Sequence, residues 1–173
     1  HDSTYPDAPF RPGQDGNDFS PLTAPSPGVA AIAKRVTCAF IGTDLEARLQ
    51  ALGKPPLVVC GWLLANSVEA TVRVGANLGY RIRLPGDACW SCDKRDLTGR
   101  LWPAEDVHQL TLALLHGEYA AVTTVDEILR YKVSSAAGFA NIFDKLTQGL
   151  RRPLLFRHDP SRHARGTGPE PRV

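Results

Sequence analysis

The sequence predicts an α/β fold, three layers deep (α/β/α), with helices on both sides of a mainly parallel, Rossmann-like sheet. Three observations carry the prediction. Apolar runs and amphipathic stretches alternate in the order strand, helix, strand, helix, strand, helix, strand, which suits a parallel sheet with right-handed crossovers. The run Leu57-Val-Val-Cys-Gly61 is apolar at successive positions, the pattern of a strand covered on both faces. Finally, Lys34 and Ser67 fall at or just past the C-terminal end of a predicted strand. Ligands collect at that end of an open α/β sheet.

A chain of 173 residues is one domain by length, and 43% apolar content with 22% charge supports a packed core. The net charge of +2 makes no general case for a nucleic-acid or membrane partner. No apolar stretch approaches the roughly 18 residues of a membrane span. No secretory pattern is seen, so Cys38, Cys60, Cys89 and Cys92 are expected as reduced thiols in the cytoplasm. Cys60 reads as a small buried hydrophobe. Cys89-Trp-Ser-Cys92 has the spacing of redox and zinc sites, but no second pair completes a zinc site.

Taken in order, residues 1–28 are turn-rich: Pro6, Pro9, Pro12, Gly13, Gly16, Pro21, Pro25, Pro27 and Gly28 exclude a helix or a central strand. Val29–Val36 is a predicted strand that carries Lys34-Arg35 near its end. A helix follows, with Thr43 and Glu46 spaced as a capping box and Leu45, Leu49 and Leu52 on one face. Gly53 ends it, and Pro55-Pro56 lead into the Leu57–Gly61 strand. A tight turn at Gly61 then gives a helix that opens near Asn66. Ser67 thereby sits beside the free N–H groups of a helix N-terminus, where a nucleophile is activated or an anion held. A serine there also caps its helix, and that is the plainer reading.

The next helix carries small residues on one stripe, Val68, Thr71, Val72, Gly75 and Ala76, and Gly79 stops it. Tyr80–Leu84 alternates apolar residues with arginines, which predicts a strand nearer the sheet edge. Pro85-Gly86-Asp87-Ala88 breaks it, and residues 91–101 read as a charged loop. Pro103 starts a helix, with Glu105 and Asp106 suiting its dipole and Val107, Leu110, Leu114 and Leu115 expected on its buried face. Gly117 closes that helix, and Ala120–Val122 is the last predicted strand. Thr124 and Glu127 then mark a further capping box. Residues 133–150 predict an additional amphipathic helix, with Phe139, Ile142, Phe143, Leu146 and Leu150 at helical spacing. Its apolar face either covers the sheet or buries against a second copy of the chain. Residues 151–173 read as a disordered basic tail. No aromatic residue interleaves its arginines beyond Phe156, which argues against nucleic acid as the partner.

Several of these stretches resemble the isochorismatase-like cysteine hydrolases over roughly residues 1–130, giving an expected domain at 1–132. The resemblance lies in Leu57-Val-Val-Cys-Gly-Trp-Leu-Leu-Ala-Asn-Ser-Val-Glu-Ala-Thr71 and Lys34-Arg-Val-Thr-Cys-Ala-Phe-Ile-Gly-Thr-Asp-Leu45. It extends to the Asp87-Ala88 pair, Trp102-Pro-Ala-Glu-Asp-Val-His108, Gly117-Glu-Tyr-Ala-Ala-Val-Thr-Thr124 and the His1–Gly13 segment. The family hydrolyses amide, carbamoyl or vinyl-ether bonds in small molecules with an Asp, a Lys and a Cys. The Lys matches Lys34, and the Cys position holds Ser67. The family's Thr three residues before the nucleophile is Leu64 here.

The resemblance further implies a non-proline cis peptide at Trp62–Leu63, a turn that holds the oxyanion, and a substrate pocket lined by Phe40 and Leu64. It implies no cofactor. Zinc-using relatives carry an Asp and two His early in the chain, whereas residues 1–30 hold only His1, so no metal is expected. The family's first two strands, with the Asp, would precede His1, so the chain reads as N-terminally incomplete. Serine is far less acidic than cysteine, and a helix N-terminus with a nearby lysine does not ionise it. The expected function is therefore an impaired small-molecule hydrolase. The alternatives are a pseudoenzyme that binds a ligand or partner, and a serine variant that uses Lys34 as its base.

Overall fold

The computed structural model describes residues 1–134 other than 4–7, 9, 10 and 22, with side chains as far as Arg130. Its centre is a parallel sheet of three strands: β1 (Leu57–Val58), β3 (Ile82–Pro85) and β7 (Ala121–Thr123), in the order β1-β3-β7. Leu57 pairs with Ile82 and Arg83 with Ala121. Two short strands carry the first pair onward. β2 (Gly61–Trp62) runs parallel to β4 (Cys89–Trp90), with Gly61 opposite Cys89 and Trp62 opposite Trp90. Helices α1 (Leu45–Ala51), α2 (Glu69–Asn77), α3 (Ala104–Leu115) and α4 (Val125–Ser134) fill the connections. The mainly parallel α/β class is the one the sequence predicts.

One apolar core joins these layers. Leu64, Val72, Leu84 and Leu115 are fully buried, and Cys38, Phe40, Val68, Tyr80, Ile82, Cys89 and Ala120 pack with them. Each fully buried aliphatic side chain contributes about 1.5–3 kcal/mol by leaving water. The stripe predicted for α2 is the buried one: Thr71, Val72 and Gly75 face inward. Gly75 is small for a reason. A Cβ there would lie 2.9 Å from Phe40 Cε2 and 3.0 Å from Ile82 Cδ1.

Several elements differ from expectation. Val29–Val36 forms no strand: no ladder partner lies beside it among the described residues, and most of it is exposed. An apolar run becomes a strand only where another backbone answers its N–H and C=O groups. The Leu57–Gly61 strand is interrupted at Val59-Cys60, and Cys60 is exposed rather than buried. Tyr80–Leu84 gives not an edge strand but β3, the middle of the three, with Ile82, Leu84 and Pro85 buried. Arg83, which alternates with them, is half-buried.

Helix α3 buries Thr111 and Leu115, whereas Leu110 and Leu114 are exposed. Residues 91–101 hold a hairpin instead of a loop, β5 (Lys94–Arg95) antiparallel to β6 (Leu101–Trp102). Asp96 organises its turn. The carboxylate accepts from the Thr98 hydroxyl and N–H, from the Arg100 N–H and from Trp102 Nε1. Those donors, the Thr98 hydroxyl foremost, lower its pKa to about 2.

Thr43 does not form the expected box with Glu46. Its hydroxyl accepts from Leu45 N at 3.3 Å and donates to the Ala39 carbonyl at 2.6 Å, while Glu46 accepts from Gln50. The Thr124–Glu127 box is formed, with Thr124 N donating to Glu127 Oε2 at 3.1 Å and Glu127 N to Thr124 Oγ1 at 3.2 Å. Helix α4 runs on to Ser134, through the expected boundary at 132. The rest of the 133–150 helix and the 151–173 tail fall outside the described residues.

Candidate functional site

The site is built where β2 ends. Gly61 has φ +130°, a conformation open to glycine, and the Trp62–Leu63 peptide bond is cis. Leu64–Val68 then form one wide helical turn, in which Val68 N donates to the Leu63 carbonyl at 3.1 Å. Regular α-helix begins at Glu69. The helical turn thus opens at Leu64, two residues earlier than expected. Val68 N is the first donor answered within the turn, so the N–H groups ahead of it, through Ser67, precede its internal bonding.

Ser67 is half-buried. It does not cap: neither the wide turn nor α2 has a side-chain cap bond. Its hydroxyl makes no hydrogen bond to any described residue. The plainer sequence reading of Ser67, as a capping residue, is therefore overturned.

Lys34 lies on an extended, unpaired segment pinned to the chain start. Asp2 N donates to the Lys34 carbonyl at 2.7 Å, and His1 Nε2 donates to the Arg35 carbonyl at 3.1 Å. The Lys34 ammonium is half-buried and donates to the Thr37 carbonyl. Burial lowers its pKa below the ordinary lysine value, and the nearby Cys38 thiol opposes that shift.

Thr71 joins the two segments. Its buried hydroxyl accepts from Ala39 N at 3.0 Å and donates to the Ser67 carbonyl at 2.8 Å. The Lys34 segment is thereby tied to the turn that presents Ser67. Sequence reasoning placed Thr71 among small packing residues. The available signal was its being the one hydroxyl in an otherwise apolar stripe.

Trp62 and Leu63 stand at the cis bond, and Trp62 is 60% exposed. Phe40 and Leu64, expected to line the pocket, are core residues. Leu64 has no exposed surface, and Phe40 stacks on Tyr80 with ring centroids 5.6 Å apart. Among the described residues, no group of three or more His, Cys, Asp or Glu could hold a metal ion. A cavity of about 490 Å³ opens beyond the ends of β3 and β7, between β4 and α3. Neither Lys34 nor Ser67 lines it.

Comparison with known proteins accords with this geometry. The family model "Isochorismatase domain" matches residues 2–127. The Bacillus subtilis isochorismatase family protein YrdC is 31% identical over 129 residues, 75% of this chain and 69% of its own. A streptothricin hydrolase from Streptomyces noursei is 38% identical over 82 residues, 47% of this chain and 29% of its own. Among solved structures, an isochorismatase-family protein from Chromobacterium violaceum is similar with a TM-score of 0.74 and 47% identity, over 78% of this chain and 69% of that one. An isochorismatase from Pseudomonas putida gives a TM-score of 0.65 and 35% identity, over 68% and 60%.

Proposed function

The chain belongs to the isochorismatase family, and from that premise we propose that it is a weak hydrolase of a small-molecule amide, carbamoyl or vinyl-ether bond, with Ser67 in the nucleophile's place. The observation that carries the reading is the state of Ser67. Ser67 lies in the wide turn just ahead of α2, its hydroxyl makes no hydrogen bond to a described residue, and Thr71 ties its carbonyl to Ala39, just beyond Lys34.

On an amide, the proposed steps are these. The neutral Lys34 amine takes the Ser67 proton as Oγ bonds to the carbonyl carbon. Backbone N–H groups at the turn hold the developing oxyanion. The C–N bond breaks as the leaving nitrogen takes a proton from the lysine. Water then attacks the acyl-serine carbonyl and gives a proton to Lys34, and the bond from the acyl carbon to Ser67 Oγ breaks as Oγ takes that proton back. Burial of Lys34 favours its neutral form and supports the assignment. A serine without an ionised hydroxyl makes each step slower than a thiolate would, hence weak turnover. A reducing, cytoplasmic setting is part of this reading, and the four free thiols support it.

A second reading is a pseudoenzyme that binds ligand without turnover. It is favoured by one observation: the Lys34 ammonium is already engaged with the Thr37 carbonyl rather than with Ser67. Intact-mass spectrometry after exposure to small activated amides and carbamates separates the two. The hydrolase reading expects an acyl adduct on Ser67 that is lost in Lys34→Ala. Ligand binding with neither adduct nor turnover would overturn it in favour of the pseudoenzyme.

A further inference from the structure

Helix α3 leaves one face without a described partner, and the pattern on that face selects what covers it. Thr111 and Leu115 are its buried side. On the opposite side Asp106, Leu110 and Leu114 follow one another at four-residue steps, and so do Gln109, Ala113 and Gly117. Leu110 is 55% exposed and Leu114 53%, and the other four residues of the two rows are exposed as well. A single exposed leucine is ordinary on a protein surface. Two in one row, beside a row that ends in Ala113 and Gly117, form a ridge with a groove at its side.

That pair of rows is its own complement. Helices pack by setting the ridge of one into the groove of the other, and here each copy of the chain supplies both. A twofold axis with the helices antiparallel would bring the leucines of each copy to the small-residue row of the other.

The polar ends of the face obey the same symmetry. Asp106 and His116 lie five positions either side of Thr111, so antiparallel pairing sets the acid of one copy near the imidazole of the other. Parallel pairing would set acid beside acid. His116 Nδ1 accepts from Val122 N at 3.2 Å, which leaves Nε2 as the ring's donor. Asp106 and His116 are both exposed, and neither the Asp106 carboxylate nor Nε2 has a partner among the described residues.

We propose that α3 is the contact surface for a second copy of this chain. The twofold dimer packs Leu110 and Leu114 across the axis and joins Asp106 of each copy to His116 of the other. One 12-residue helix per copy falls short of the roughly 800 Å² per partner of a standard interface. The dimer is accordingly a weak one, formed at micromolar rather than nanomolar concentration. It stands apart from the Ser67 reading, because association is measured without turnover.

The test is sedimentation velocity of the full chain from roughly 1 µM to roughly 500 µM. The weight-average mass should rise with concentration from that of one chain toward that of two. Leu110→Asp and Leu114→Asp should each weaken association at least about tenfold, since each buries an unpaired carboxylate at the centre of the contact. Asp106→Lys should weaken it a few-fold by putting a cation where the acceptor stood, and added salt should shrink that loss. All three positions are exposed, so the variants keep the fold, which circular dichroism checks. A chain that stays monomeric across the range overturns the proposal. So does a dimer whose affinity is unchanged in Leu110→Asp, because another surface then makes the contact. Should one leucine variant fail to fold, the other decides with the same force.

Discussion

At the scale of single residues, the proposed chemistry turns on the protonation state of Lys34. Partial burial costs the ammonium its hydration and lowers its pKa from 10.5. The sign follows directly. A lowered pKa means the neutral, basic amine appears at a lower pH than for a free lysine. Formation of the Ser67 adduct should therefore rise with pH and level off as Lys34 loses its proton. Its inflection should fall below 10.5. Lys34→Arg should lose the rising limb, because a guanidinium keeps its proton at every accessible pH. Adduct yield against pH, read by mass spectrometry, checks this, and an unchanged limb in Lys34→Arg would remove the lysine from the base's role. Lys34 and Ser67 were legible as candidates because each follows an apolar run. Thr71 was not, because its bridging role depends on Ala39, 32 positions away. That Phe40 and Leu64 are buried in the core was not legible for a related reason. A sequence match gives proximity to a site, not whether a side chain faces the cavity or the core.

At the scale of elements, α2 shows how packing overrides local preference. Glycine inside a helix costs about 1 kcal/mol relative to alanine. Gly75 is nonetheless required by its neighbours, since an added methyl would meet Phe40 Cε2 at 2.9 Å and Ile82 Cδ1 at 3.0 Å. The Phe40 ring is buried and stacked on Tyr80, which limits its retreat. Overpacking of this kind costs about 1–3 kcal/mol. Gly75→Ala should therefore destabilise by roughly 1 kcal/mol net, despite the gain in helix propensity. Urea denaturation measures it, and a variant more stable than the parent would show that the ring yields.

Which elements were legible follows the same division. The Thr124–Glu127 box and the stops at Gly53, Gly79 and Gly117 are local, and they are found where the sequence puts them. The Asp96 hairpin was missed because its turn is set by one carboxylate gathering four donors, a pattern that periodicity does not register. Leu110 and Leu114 were assigned inward from spacing alone, whereas the sheet meets α3 along Thr111 and Leu115.

At the scale of the whole molecule, stability is distributed unevenly, and the candidate site straddles the division. Ser67 is anchored to the tightest part of the fold. Leu64, Val68 and Val72 are buried around it, and the Ile82–Pro85 strand behind them is bonded on both sides. Lys34 belongs to the opposite regime. Residues 23–36 are mostly exposed and make few backbone bonds among the described residues, two of them Val29 N to Ser26 and Asp2 N to the Lys34 carbonyl. Chain order alone did not reveal this, because a strand's partners are distant in sequence. Local opening free energies run from near zero for weakly bonded segments up to the global value for core strands. Amides of β3 and of α2 from Val72 on should therefore exchange only through global unfolding, while those at 29–33 exchange close to the unprotected rate. Hydrogen exchange read by mass spectrometry tests it. A slow-exchanging 29–33 segment would show that Lys34 is held as firmly as Ser67. Fast exchange there alongside a rigid turn would mean that pairing base with nucleophile requires ordering the lysine segment at each encounter. Thr71, bonded to Ala39 N and to the Ser67 carbonyl, links the turn to the chain just beyond Lys34.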